Sequence, residues 1–144
     1  MKVILILLSF FIFQSGAVAE SELDEVNVWS AASLIAVNNI NTESTNTHGI
    51  CYSLGGLGQK LENLGTAGAD LLIQEIGSAT EETRTLAKET TELESLRMRI
   101  SGFCYNPLLP VEGGVEKLDR ESLKEALKLA KKKLTQFRDK YFKE

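Results

Sequence analysis

The chain has 144 residues, a formal net charge of −4, a single histidine and two cysteines. That length supports one domain around one core, and the acidic balance excludes a nucleic-acid binder, which needs a basic field. One histidine and two cysteines cannot make a Cys/His zinc site, and neither a C-x-x-C redox motif nor a C-x-x-C-H haem motif is present.

Residues 1–19 read as a cleaved signal peptide. Lys2 is the positive n-region, Val3 to Phe13 is the apolar h-region, and Ala17-Val18-Ala19 is an A-x-A cleavage site. The apolar run is about eleven residues, against the roughly twenty of a spanning helix, so no stable membrane anchor is expected after cleavage. Residues 20–144 are then a single exported domain, one unit more acidic once Lys2 is gone. The periplasm is its expected destination, with secretion as the alternative. No cysteine follows the cleavage site for lipid attachment, and no Asn-x-Ser/Thr sequon is present.

Four stretches carry helical periodicity. The first spans about 22–40, with Val26, Trp29, Ser33, Ala36, Val37 and Ile40 on one face and Ser21 as its N-cap, Asp24 following three residues on. Residues 41–49 (NTESTNTHG) are turn formers and read as a polar loop. The second spans about 53–76. Leu54, Leu57, Leu61, Leu64, Gly68, Leu71 and Ile76 follow the three-and-four spacing of a packed seam. Gly55, Gly56, Gly58, Gly65 and Gly68 fall inside it, each costing up to about 1 kcal/mol relative to Ala. Close approach of a neighbouring helix is one reason to tolerate them, and a kink is the other.

The third stretch spans about 79–101. Ala79, Leu86, Leu93 and Ile100 repeat every seventh residue, while the interleaved seam positions Thr83, Thr90 and Arg97 are polar. Such a thin stripe is expected to be partly exposed, or to face a partner. The fourth spans about 120–142, N-capped by Asp119. Its face of Leu123, Leu127, Ala130, Leu134, Phe137 and Tyr141 is unbroken, and Lys131 to Lys133 suit the helix's C-terminal half. Between the third and fourth, Pro107, Pro110, Gly113 and Gly114 forbid continuous helix.

Behind a signal peptide, Cys51 and Cys104 are expected to pair. A disulfide needs its Cα atoms within about 7 Å, so the helical chain between them must double back. Gly77 suits a helix end in the left-handed conformation, and Ser78 with Glu81 reads as a capping box that starts the next helix. A turn at residues 65–68 is the competing position, with unequal arms. Closing this loop is worth about 4 kcal/mol by chain-entropy arguments.

Catalytic constellations are missing. His48 reads as an exposed turn residue, and no G-x-S-x-G elbow accompanies it. The run LGGLGQKLENLG fails the spacings of phosphate-binding loops. Glu81, Glu82, Glu92 and Glu94 read as solvated charges. Trp29 reads as core. The expected architecture is all-α: a small bundle of three to four helices containing a disulfide-stapled antiparallel helical hairpin. The expected function is a non-enzymatic protein-interaction module, such as an inhibitor or immunity-type protein or an accessory part of an envelope assembly. It has no cofactor or metal, and its partner is another protein. Its candidate contact residues are Phe103, Tyr105, Leu108 and Leu109 beside the second cysteine, with Thr83, Thr90 and Arg97 on the polar seam. The alternative is a helical carrier of a small apolar ligand, held where the glycines leave room.

Overall fold

The computed structural model describes residues 17–75, 77–104 and 119–142. These form four helices: α1 (Ala17–Asn39), α2 (Thr47–Gln74), α3 (Glu81–Ser101) and α4 (Arg120–Tyr141). α2 packs against α1 on one side and α3 on the other, and α4 closes the ring against both α1 and α3. The fold is a small all-α bundle, and Cys51 is bonded to Cys104.

α4 follows its periodicity closely. Leu123, Leu127, Ala130, Leu134, Phe137 and Tyr141 are all buried. The Asp119 side chain accepts from the Ser122 backbone N–H at 3.1 Å and so satisfies one of the helix's free donors. Two arginines tie α4 to the front of the chain. The Arg120 guanidinium donates to the Thr42 and Ser44 carbonyls at 2.7 Å each. Arg138 donates to the Asn27 carbonyl at 2.9 Å and to the Ser30 hydroxyl at 2.6 Å.

α1 runs through Ser21, which is therefore inside the helix rather than capping it. Its inner line is Leu23, Val26, Ser30, Ser33 and Val37, while Trp29, Ala36 and Ile40 pack at the edge of the core. α2 starts at Thr47 and not near Ser53. The Asn46 side chain accepts from the Gly49 N–H at 2.9 Å, and that cap starts the helix within the polar stretch. His48 is thus helical, though exposed, and Cys51 lies inside the helix.

The chain reverses between α2 and α3 at Gly77, whose φ of 85° is the left-handed conformation open to glycine. Thr80 caps α3, its hydroxyl accepting from the Thr83 N–H at 3.1 Å. Ser78 does not start the helix. It bonds back to the Glu75 carbonyl, and the extended backbone needed for an N-cap comes two residues later, at Thr80. Thus the hairpin has its turn at one end and its disulfide at the other, where the two Cα atoms are 5.8 Å apart. α2 stays continuous across Gly65 and Gly68, so the competing turn does not form.

Candidate interaction surface

The inner side of the hairpin accounts for three of the five glycines. A Cβ added at Gly68 would lie 1.9 Å from the Thr90 hydroxyl oxygen, and one at Gly65 would lie 1.8 Å from the Glu94 carboxylate. At Gly58 it would stand 3.2 Å from the aliphatic stem of Arg97. Three polar side chains of α3 therefore fill the hollows left by three glycines of α2. The Thr90 hydroxyl bonds to the Ala87 carbonyl at 2.7 Å, so its burial leaves no donor unpaired. Thr83 donates to the buried Glu75 carboxylate at 3.2 Å. Arg97 pairs with Glu62 at 2.7 Å across the same seam.

This arrangement moves two of the expected contact residues inside. Thr83 and Thr90 are 0 % exposed, so neither offers a surface to a partner. The polar stripe of α3 does face something, but it is α2 of the same chain. Arg97 keeps part of its side chain in solvent while paired to Glu62. Phe103 is half-buried and packs on the core beside Cys104. Tyr105, Leu108 and Leu109 lie outside the described residues. The room that the glycines were expected to leave for an apolar ligand is occupied at Gly58, Gly65 and Gly68 by Arg97, Glu94 and Thr90.

The outer side of the hairpin differs. Among the described residues, no side chain lies against Gly55, and only the Lys60 ammonium comes near Gly56. Tyr52 is 87 % exposed and Ile73 is 61 % exposed, at opposite ends of the same outward ridge. Between them the ridge carries Gly55, Gln59, Thr66 and Ala69, all exposed and uncharged. On the α1 flank of this ridge is a groove lined by Glu22, Glu25, Trp29, Asn63, Thr66, Ala67 and Asp70. It holds three carboxylates and no base. Desolvation raises the Glu22 pKa, and the charges of Asp70 and Glu25 add to the shift. The Trp29 indole N–H donates to Glu25 at 2.8 Å. On the α3 flank, Gly55, Gly58, Gln59, Glu62, Arg97 and Met98 line a smaller groove, with Met98 70 % exposed. α1 adds Val28 and Ile35 to the exposed apolar side chains.

A third groove, between α3 and α4, carries two carboxylates and two ammonium groups around an apolar floor. It is lined by Glu89, Glu92, Leu93, Lys133, Gln136, Phe137 and Lys140. Lys140 pairs with Glu89 at 2.7 Å, and this hydrogen bond holds the ammonium above its ordinary pKa. The adjacent Tyr141 hydroxyl is buried without a hydrogen bond of good geometry, and burial pushes its pKa up to about 12. Among the described residues, no helix is long and apolar enough to cross a membrane. Nor, among those residues, do three or more His, Cys, Asp or Glu side chains cluster closely enough to hold a metal ion.

No family model, no curated protein and no solved structure matches the chain.

Proposed function

We propose that this protein is an exported, non-enzymatic interaction module, an inhibitor or immunity-type protein or an accessory part of an envelope assembly. Its contact surface is the outward side of α2 with the adjoining edge of α1. The observation that carries this reading is the uneven distribution of charge over the surface. In α2 the charged residues are Lys60, Glu62 and Asp70, and Glu62 is paired with Arg97. α3 and α4 are charged at nearly every second position, as solvated helix faces are. An outward ridge of α2 that is depleted in charge and carries Tyr52 and Ile73 resembles the core of a protein interface. The disulfide supports an oxidising compartment, and the periplasm fits it.

Carrying the protein on a resin through the envelope fraction of its own host, followed by mass spectrometry, tests this reading. Thr66→Arg places a charge on the ridge, and Lys132→Glu alters the opposite surface. The expected outcome is a partner retained by the wild type and by Lys132→Glu, and lost by Thr66→Arg. Retention by Thr66→Arg would contradict the assignment of the surface.

A further inference from the structure

We propose that the contact surface takes an amphipathic helix of another protein, laid along α1, with a lysine or arginine of that helix in the acidic groove beside Trp29. The assignment rests on the reading of this side as a contact surface and names the chemistry of its occupant. From Val26 to Thr42 no residue is charged. Burial explains the inward positions of that stretch, Val26, Ser30, Ser33 and Val37. It does not explain Val28 and Ile35, which are 56 % and 61 % exposed. They stand two helical turns and about 10 Å apart on one line, with Ala31 and Ala32 half-exposed between them. A solvated helix face carries charge. This one carries apolar side chains at the seven-residue spacing by which a helix is gripped along its length.

The flanks determine what covers this line. On its α2 side, Glu22, Glu25 and Asp70 gather around Trp29, beside Asn63, Thr66 and Ala67. Asp24, exposed in the same turn of α1, adds a fourth carboxylate. None of the four is in an ion pair among the described residues. The Trp29 indole N–H donates to Glu25 at 2.8 Å, which fixes the ring in the groove. The pKa of Glu22, raised by desolvation and then by the charges of Asp70 and Glu25, reflects the same crowding. A cation placed here gains from the carboxylates and from the indole ring. On the other side of the line, Arg138 holds α4 against α1. There Lys128, Lys131 and Lys132 are exposed, on a helix with eight bases and three acids.

These two flanks select the occupant. An anionic lipid surface meets the carboxylates at one edge, and a uniformly basic segment meets the lysines at the other. A second copy brings a net-acidic chain to an acidic groove. A strand has no sheet edge to join among the described residues. A helix that is apolar on one face and basic along one edge satisfies both flanks.

The area sets the strength. From Glu22 to Ile35 α1 is about 20 Å long, and neighbouring helices 8–10 Å apart make the surface about 20 Å wide. Roughly 400 Å² per partner is the low end of specific contacts, where transient ones lie. The dissociation constant is then on the order of tens of micromolar, and it rises with salt because the ion pair lies at the rim.

Trp29 is the chain's only tryptophan, so its fluorescence reports on this groove. The probe is a synthetic helix of about five turns, with leucine on one face, lysine along one edge and glutamine elsewhere. Titrated into the disulfide-bonded protein, it is expected to change the Trp29 emission and to saturate. Glu25→Gln with Asp70→Asn should weaken binding at least tenfold, with helicity and Tm unchanged. Glu81→Gln with Glu82→Gln makes the same change in charge away from the groove and should leave binding within twofold. Glutamate in place of the probe's lysines, or glutamine in place of its leucines, should also weaken binding at least tenfold. No saturation by about millimolar probe overturns the inference, as does equal weakening by the two double variants. So does an emission change caused by protein concentration alone or by phosphatidylglycerol vesicles, which would make a second copy or a lipid the occupant. If the probe fails while Thr66→Arg still loses a captured partner, the basic helix is wrong and the contact surface stands. If the probe binds as expected while Thr66→Arg keeps its captured partner, the groove takes a basic helix and that partner belongs to another surface.

Discussion

The inner and outer glycines of α2 obey the same local energetics and have different surroundings. Inward, Gly58, Gly65 and Gly68 receive Arg97, Glu94 and Thr90, so the helix gives up propensity and gains a close seam. Outward, among the described residues, Gly55 is bare and Gly56 has only the tip of Lys60 nearby. The difference teaches that packing among the described residues explains the glycine content of this helix only on one side. A helix that needed nothing from its outer face would be more stable with alanine there.

The largest expected effect removes the staple that brings the two sides into register. Replacing Cys51 and Cys104 with alanine should cost about 4 kcal/mol, measured by urea denaturation at neutral pH. A loss well under 1 kcal/mol would mean that the glycine-filled seam alone holds the hairpin. Gly68→Ala is next, because its Cβ would meet the fully buried Thr90 and force a backbone shift. A destabilisation of about 1–3 kcal/mol is expected in the same experiment. Gly65→Ala should cost a comparable amount, since the Glu94 carboxylate can swing away but the Glu94 Cβ, 2.9 Å from the added methyl, is fixed to the backbone.

Tyr141→Phe tests whether the charged α3–α4 side is as well satisfied as it looks. The hydroxyl it removes is buried without a hydrogen bond of good geometry among the described residues, so the change should lie between neutral and about 1 kcal/mol stabilising at neutral pH. The sign of the pH dependence follows from the raised pKa. The unfolded phenol loses its proton near its ordinary 10.0, while the folded one keeps it until about 12. Stability therefore falls as pH rises through that window, because the native state binds more protons. The Phe variant should melt with a shallower alkaline decline. An identical decline in both proteins would place the alkaline titration at Lys140 instead.

Much of the bundle is legible in the sequence. The α4 face can be read because its apolar residues never miss a turn, and the need to join Cys51 to Cys104 required a reversal, for which Gly77 and residues 65–68 were the two candidates. The start of α2 was hidden because Asn, Thr and Gly serve equally in loops and in caps, and only Asn46 in its observed geometry settles which. The same ambiguity moved the α3 cap from Ser78 to Thr80. The inward turn of Thr83 and Thr90 was misread because a polar seam position suggests solvent or a partner. The seam sets small against large, Gly68 with Thr90, Gly65 with Glu94 and Gly58 with Arg97, a register that folding at Gly77 does not give by counting alone, since it would oppose Leu86, Glu89 and Leu96. The outward ridge carries no such pairing, since no described residue of the chain packs on it.

Gly55→Ala with Gly56→Ala tests the contrast between the two sides of α2 most directly, by thermal melting and by resin capture from the envelope fraction. The account predicts opposite signs: a fold more stable by up to about 1 kcal/mol for each alanine, and a captured partner held less tightly because it can no longer approach the ridge as closely. A fold that loses stability, or capture equal to that of the wild type, would contradict it.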